Sequence, residues 1–127
     1  MGKRFSFRQA ALDAARAADD KKSIDIKLYD VRHASPIADY ILVATVESAP
    51  HSAAVQEEMD RRLSAGVGPR GGRCDGGARS GWRVIDYGGL VVHLMNDGSR
   101  TFFDLERLWE TARRVRWQPP LSRRKGS

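Results

Sequence analysis

Four aspartates on or beside predicted strands are the side chains of this sequence that best suit metal-dependent chemistry: Asp25, Asp30, Asp39 and Asp86. Two or three strand-borne carboxylates can hold Mg²⁺ for phosphoryl transfer. No Asp-x-Asp pair shares a strand face, and Asp25 and Asp30 are five residues apart, so an even strand turns them to opposite sides. A nucleotidyltransferase-like enzyme that uses Asp25, Asp30 or Asp86 with Mg²⁺ is therefore one hypothesis, and solvent-facing positions are the alternative.

The remaining chemistry-bearing residues are dispersed along the chain. His33, His51 and His93 include no pair spaced i, i+4 and no His-Glu-x-x-His motif, so a metal site would need them to converge in space. The segment Gly66-Val-Gly-Pro-Arg-Gly71 matches G-x-G-x-x-G, but a predicted helix precedes it where a dinucleotide site needs a strand. Cys74 falls in the same glycine-rich stretch, which gives a nucleophile no fixed position. The sequence thus predicts no cofactor and no catalytic residue.

Large aromatic side chains in the predicted strands form a more informative set. Tyr40, Trp82 and Tyr87 are amphipathic, and Arg83 and Asp86 lie beside two of them. Such aromatics usually pack in a core, but they also anchor protein interfaces. The hairpin around Asp86 and Tyr87 also offers a partner an exposed strand edge. Core packing and protein binding both remain open for these residues.

Length and charge limit the classes of protein to which the chain can belong. Its 127 residues, 41% of them hydrophobic, suit a single domain with a compact core. The net charge of +6 comes from residues 113–127, which hold six basic residues and no acid, because residues 1–112 carry 16 basic and 16 acidic side chains. The body therefore lacks the excess charge that nucleic-acid binding needs, whereas the basic end could touch RNA phosphates.

Cysteine content and hydropathy indicate a cytoplasmic protein. A single cysteine cannot form an internal disulfide and fits a reducing compartment. The first residues hold no apolar stretch of signal-peptide length, and no run approaches the ~18 apolar residues of a membrane span. We therefore expect a soluble, cytoplasmic protein with no membrane partner.

Hydrophobic periodicity predicts an α/β fold with a small mixed β-sheet of four to five strands and helices packed against it. Alanine-rich and period-four stretches are typical of helices, and alternating or continuous β-branched runs are typical of strands. The predicted order is helix 7–22, strand 24–31, strand 39–46, helix 49–64, glycine-rich loop 66–81, hairpin strands 82–87 and 90–95, a short edge strand 101–103 and a helix from residue 104.

Short motifs follow one another in a characteristic order between residues 30 and 109. The most specific are Gly81-Trp-x-x-x-Asp-Tyr-Gly-x-x-Val-Val-His93 and Arg100-x-Phe-Phe-Asp-Leu-Glu-x-Leu-Trp109. They are preceded by Asp30-Val31, Ser35, Asp39-Tyr40, Ala44-Thr45 and Ser48-x-x-His51. With these motifs and gaps, residues 8–113 closely resemble the ribosomal silencing factor family, also called Iojap-like.

The resemblance implies a nucleotidyltransferase-like topology without catalytic carboxylates, and a translational repressor that is not an enzyme. Members of that family bind the large ribosomal subunit through its fourteenth protein and block joining of the small subunit, notably in starvation. Off the ribosome they are often homodimers. The candidate residues that contact the partner or support the contact are Tyr40, Trp82, Asp86, Tyr87 and Arg100.

Composition and the likeness together predict the organisation of the chain. Residues 1–7 are expected to be a flexible N-terminus, residues 8–113 the silencing factor domain with its glycine-rich loop at 66–81, and residues 114–127 a basic tail. Contact of this tail with ribosomal RNA is a second, sequence-independent way of binding a ribosome. RNA binding through the tail is therefore a further alternative function.

Overall fold

The computed structural model of the protein describes residues 6–67, 73–75 and 81–119. Three α-helices, one 3₁₀ helix and six strands occur in these ranges. In chain order they are α1 (Phe7–Asp20), β1 (Ile24–Asp30), β2 (Tyr40–Thr45), α2 (Ala49–Val67), β3 (Arg73–Asp75), β4 (Trp82–Asp86), β5 (Leu90–Met95), α3 (Asp97–Phe103), the 3₁₀ helix (Leu105–Trp109) and β6 (Arg113–Arg114).

The strands form one mixed sheet in the order β3-β4-β5-β2-β1-β6. The central strands β2 and β5 are parallel, and the other neighbouring pairs are antiparallel. Parallel strands need a long crossover connection, and here α2 lies within it. The expected α/β class with a mixed sheet is confirmed, and short edge strands raise the number of strands in the described ranges to six.

Two helices cover one face of the sheet, which is called the helix-covered face below. Helix α2 turns Val55, Met59 and Leu63 toward it, at the four-residue spacing that predicted this helix. Alanines let α1 pack close to the sheet and to α2, because their side chains add little bulk between the backbones. The buried alanines of α1 are Ala10, Ala11, Ala14, Ala15, Ala17 and Ala18.

Strand β1 is irregular at its start. Its pairing with β2 shifts register between Ile24 and Lys27, and Asp25 has a φ of 51° in the left-handed region. Even alternation predicts that Ile24 is buried with Ile26 and Leu28, but Ile24 is 50% exposed. The irregularity thus removes one apolar side chain from the core.

Residues 96–109 fold differently from the sequence prediction. The predicted turn at residues 96–98 is the start of α3, and Thr101–Phe103, expected to be an edge strand, form its last turn. The reason is a side-chain cap, since the Asn96 Oδ1 atom accepts a hydrogen bond from the Ser99 amide at 2.7 Å. Asp104 then adopts the left-handed conformation and joins α3 to a 3₁₀ helix, where a longer helix was expected.

The folded body extends beyond residue 113, where the sequence predicted that a tail begins. Val115 and Trp117 are buried in the core of the helix-covered face. The Trp117 indole Nε1 donates a hydrogen bond to the Ile26 carbonyl at 3.2 Å, and the Trp117 carbonyl accepts one from Arg16 Nε at 2.9 Å. The start of any basic tail therefore moves past Trp117.

The predicted glycine-rich loop at 66–81 contains regular structure in two of its described parts. Helix α2 continues to Val67, and β3 pairs antiparallel with β4. Residues 68–72 and 76–80 of this loop, the first five residues of the chain and the last eight residues of the predicted tail lie outside the described residues. Among the helices of the described ranges, none is both long and apolar enough to cross a membrane.

Candidate interaction surface

The sheet face opposite α1 and α2, called the second face, is covered over only part of its area. Over β1 and β2, Tyr29 and Val43 are buried in a cluster against which Trp109 packs. Over β4 and β5, Val84 and Val91 are only half-buried. Alternation along the strands assigns both valines to this face, because their neighbours on the helix-covered face are in the other core cluster. The second face therefore has a covered half and an open half.

Arg100 connects the segment that covers the second face, α3 with the 3₁₀ helix, to the sheet. Its side chain is buried, and its guanidinium donates hydrogen bonds to Glu106 Oε1 at 2.7 Å, to the Asp25 carbonyl at 2.6 Å and to Thr45 Oγ1 at 2.9 Å. A planar guanidinium suits such a set of fixed acceptors. Arg100 thus joins α3 and the 3₁₀ helix to the ends of β1 and β2.

Glu106 is the second member of this polar link. It also accepts hydrogen bonds from the Tyr29 hydroxyl at 3.2 Å and forms an ion pair with Lys27 Nζ at 3.2 Å. Hydrogen bonding from Arg100 lowers the pKa of Glu106 to about 2, and burial together with the nearby Glu106 charge raises the pKa of Tyr29 to about 12. Glu106 is therefore ionised and Tyr29 neutral throughout the physiological range.

Trp82 stands at the border between the two halves. Its indole Nε1 donates a hydrogen bond to His93 Nδ1 at 3.1 Å, and its ring lies 4.8 Å from that of Phe103 between centroids. Phe102 contacts Phe103 edge to face, with centroids 4.9 Å apart. The geometry places three aromatic rings in one continuous row from β4 to the end of α3.

His93 is neutral in this arrangement. Burial lowers its pKa to about 4. Because Nδ1 accepts the hydrogen bond from Trp82, the ring proton resides on Nε2. The open half thus presents no histidine charge at neutral pH.

Two of the three rings in this row are exposed. Phe102 is 81% exposed and Phe103 is 51% exposed. An exposed aromatic patch next to half-buried valines is characteristic of a protein contact surface. We call this surface the docking face and define it by Trp82, Val84, Asp86, Val91, His93, Phe102 and Phe103.

The five predicted partner-binding residues divide into two groups. Trp82 and Asp86 lie on the docking face, where Asp86 is exposed and its Oδ1 accepts a hydrogen bond from a turn amide at 2.8 Å. Tyr40 and Tyr87 are buried in the helix-side core, and the Tyr87 hydroxyl donates a hydrogen bond to an α2 carboxylate at 2.7 Å. Arg100 is the buried link. Tyr40, Tyr87 and Arg100 therefore suit the supporting role, and direct contact stays a prediction for the other two.

The structure does not gather the aspartates of the enzyme hypothesis. Asp25 and Asp30 lie at opposite ends of β1, and the Asp30 carboxylate is occupied by Arg32 at 2.8 to 3.1 Å. Asp86 ends β4, which is three strand spacings from β1, or roughly 14 Å. Within the described ranges, no group of three or more histidine, cysteine or acidic side chains is arranged to hold a metal ion.

The three histidines are also apart, and His51 has a structural role that its sequence position did not reveal. Its Nδ1 accepts a hydrogen bond from the Glu47 amide at 3.0 Å, and its Nε2 lies 2.7 Å from the Lys21 carbonyl. The ring therefore ties the end of α1 to the start of α2.

Sequence reasoning missed Phe102, Phe103 and His93 as candidates for the surface. The two phenylalanines were expected in an edge strand, where alternation would bury one of them. The available signal was the Asn96 cap, which turns the segment into a helix whose last turn is exposed. His93 becomes informative only through the Trp82 hydrogen bond across the hairpin.

Known proteins are similar to this sequence over most of its length. The family model described as "Ribosomal silencing factor during starvation" matches residues 5–126. The Treponema pallidum protein named "Ribosomal silencing factor RsfS" is 35% identical over 109 residues, which cover 84% of this chain and 95% of that protein. The protein of the same name from Bacillus subtilis is 32% identical over 100 residues, or 78% of this chain and 83% of its own.

A solved structure supports the fold independently. A crystal structure of a protein from Chromobacterium violaceum superposes with a TM-score of 0.75 at 24% identity and covers 93% of this chain and 97% of its own. The likeness establishes a shared fold, and the family model covers the helices, the sheet and the docking face alike. The chain therefore belongs to the ribosomal silencing factor family.

Proposed function

We propose that the protein represses translation by binding the large ribosomal subunit through its fourteenth protein and blocking access of the small subunit. The observation that carries this proposal is the docking face, with an exposed row of aromatic rings at its centre. Steric occlusion needs a stable interface of about 800 Å² on each partner and no catalytic group. Membership of the silencing factor family supports the ribosome as the site of action, in the cytoplasm.

The docking face suits a partner with an apolar centre and a polar rim. Phe102 and Phe103 would enter the partner's surface, because aromatic side chains, Phe included, are enriched at the centres of such contacts. Asp86 at the hairpin turn would lie at the rim and favour a basic residue opposite it.

Co-sedimentation with purified large subunits, small subunits and joined ribosomes tests the proposal. We expect retention by large subunits alone, and fewer joined ribosomes as the protein is added. Equal binding to all three particles that disappears at high salt would instead indicate non-specific attachment to RNA.

One pair of variants tests the surface itself. Phe103→Ser removes an aromatic ring from the docking face, and Ile24→Ser removes a side chain of almost equal exposure, 50% against 51%, at the start of β1. We expect Phe103→Ser to weaken binding to the isolated fourteenth protein at least tenfold and Ile24→Ser to leave it unchanged. Equal losses in both variants would exclude the docking face as the contact.

Off the ribosome, we expect the docking face to pair with a second copy of the chain, because exposed aromatic surface favours self-association. Analytical ultracentrifugation of the wild type and Phe103→Ser measures this. A dimer that is unaffected by the substitution would place the dimer contact elsewhere.

The enzyme hypothesis has a separate test. Calorimetric titration of the protein with ATP and Mg²⁺ should be flat, since Asp25, Asp30 and Asp86 are not gathered at one site. Saturable, Mg²⁺-dependent binding would restore a nucleotidyltransferase-like activity.

A further inference from the structure

The outer edge of the sheet at β6 carries a row of exposed arginines. Arg113, Arg114 and Arg116 are all exposed, while Val115 and Trp117 between and after them are buried. The alternation fixes the backbone of this segment to the body and directs Arg114 and Arg116 away from the helix-covered face. Arg113 has the same parity as Val115 and lies at the exposed edge opposite Asp30. These three arginines are called the basic edge below.

Several arginines of the body have carboxylate partners, which the basic edge lacks. Arg32, Arg62 and Arg100 form ion pairs with carboxylates. Among the described residues, no carboxylate lies within ion-pair distance of Arg113, Arg114 or Arg116, and none of the three donates a side-chain hydrogen bond. Their charge is thus available to an external anion.

Two acidic groups on or beside β1, the strand that pairs with β6, are already engaged. Asp30 lies directly opposite Arg113 in the β1–β6 pairing, but its side chain is 7% exposed and accepts hydrogen bonds from Arg32. Glu106 is held by Arg100 and Lys27. Neither carboxylate neutralises the edge.

Arg114 also has an aromatic neighbour. Its guanidinium lies 5.6 Å from the centre of the Tyr29 ring, and Tyr29 belongs to the second face of the sheet. This contact directs Arg114 to the same side of the molecule as the docking face. The distance from β6 to β4 is four strand spacings, or roughly 19 Å.

We propose that Arg113, Arg114 and Arg116 bind phosphates of an RNA backbone while the docking face contacts protein. Arginine presents a planar fork of donors that matches phosphate oxygens, and unpaired arginines in a row are the electrostatic footprint of nucleic-acid binding. RNA binding at the basic edge goes beyond the protein contact proposed above and does not require it.

Three full-length variants that each remove three positive charges test the assignment. The edge variant is Arg113→Gln, Arg114→Gln and Arg116→Gln. The helix-side control is Arg8→Gln, Lys21→Gln and Lys22→Gln, all exposed positions near α1. The C-terminal control changes Arg123, Arg124 and Lys125 to Gln, in the part of the chain beyond the described residues.

The probe is a fluorescein-labelled RNA hairpin of mixed sequence, titrated by fluorescence anisotropy at 50 and 200 mM salt. We expect the edge variant to lose about tenfold or more in affinity at 50 mM salt. The slope of log K against log salt should become less steep by about 3, since each of the three lost phosphate contacts removes roughly 0.9. The helix-side control should stay within twofold of the wild type. Circular dichroism confirms that each variant is folded.

Several results would overturn the proposal. An edge variant with wild-type affinity would show that the edge does not contact the RNA. Equal losses in the edge and helix-side variants would show that net charge alone attracts the RNA. A loss confined to the C-terminal control would assign RNA binding to the last residues. A polyglutamate peptide that binds the edge as tightly as the RNA would assign the surface to acidic proteins. No ribosomal protein is present in this assay, so its outcome is independent of the test for subunit binding.

Discussion

The two faces of the sheet are closed by different means. Helices α1 and α2 bury the helix-covered face with alanines and a period-four apolar row, and this packing involves long continuous elements. The second face is covered by the short α3 and a 3₁₀ helix, which Arg100 and Glu106 attach through polar contacts. The first arrangement builds the fold, whereas the second leaves an area of sheet and aromatic rings for a partner.

The comparison shows where stability and binding reside in this molecule. The helix-covered face is a densely packed core, so the loss of one buried side chain there affects all of its neighbours. On the second face, the polar link of Arg100 and Glu106 holds a cover over β1 and β2 and leaves the area over β4 and β5 open. Substitutions on the two faces should therefore affect different measurements.

The largest effect on stability is expected for Leu42→Ala. Leu42 is 0% exposed on central strand β2 and faces the two helices. The cavity should lower the free energy of unfolding by about 4 kcal/mol, as for other buried leucines. Urea denaturation measures this free energy. The affinity of the folded fraction for large subunits should equal that of the wild type. A simultaneous loss of affinity in the folded fraction would mean that the two faces are not independent.

Arg100→Ala should have the next largest effect. It leaves Glu106 and Thr45 without their buried donor, which lowers the free energy of unfolding by about 3 kcal/mol. Arg107→Ala, an exposed arginine of the same segment, is the matched control and should change stability by less than about 0.5 kcal/mol. Faster hydrogen exchange across residues 97–109 in the Arg100 variant alone would show that the cover has loosened. Equal protection in both variants would contradict the role of Arg100.

Acidification should lower the free energy of unfolding through protonation of His93 in the unfolded chain. Its pKa is about 4 in the folded protein and 6.5 as the ordinary value, so the unfolded chain binds more protons between these values and stability falls as pH falls. From pH 7 to pH 5 the free energy of unfolding should decrease by about 2 kcal/mol because of this group. In His93→Gln, which keeps an acceptor for Trp82, most of this decrease should vanish. A decrease of the same size in that variant would assign the pH dependence to other groups.

The smallest effect on stability is expected for Phe102→Ser. Phe102 is 81% exposed, so the free energy of unfolding should change by less than about 0.5 kcal/mol. Binding to large subunits should nevertheless weaken several-fold or more. Thermal unfolding and co-sedimentation of this variant beside Leu42→Ala give the sharpest contrast between the faces. Unchanged binding would move the contact away from the end of α3.

Local sequence patterns predicted the elements that are long and amphipathic. The four-residue spacing of Val55, Met59 and Leu63 and the paired glycines of the β4–β5 turn each determine structure within a few residues. The same patterns failed at residues 96–103, where one capping side chain outweighs the β-propensity of two phenylalanines. The β-propensity of individual residues is therefore a weak predictor where a single capping hydrogen bond selects a helix.

Contacts between distant residues could not be predicted from the sequence. Trp117 is buried because Ile26 and Arg16, 91 and 101 residues away, provide its hydrogen-bond partners. Tyrosine is a residue type that is common at protein interfaces. The ring of Tyr87 is nevertheless buried in the helix-side core, and an α2 carboxylate accepts a hydrogen bond from its hydroxyl. Polar aromatics satisfy either environment, so only the fold decides between them.

The contact of Trp117 with α1 and β1 also bears on the order of folding. Helix α1 is synthesised before the other described elements, and its Arg16 can donate a hydrogen bond to the Trp117 carbonyl only when a residue 101 positions later is available. Strand β1, likewise, lies between its hairpin partner β2 and the late strand β6. Such long loop closures slow folding and keep it incomplete during synthesis. A growing chain therefore completes its sheet only after almost all of the residues described have been made.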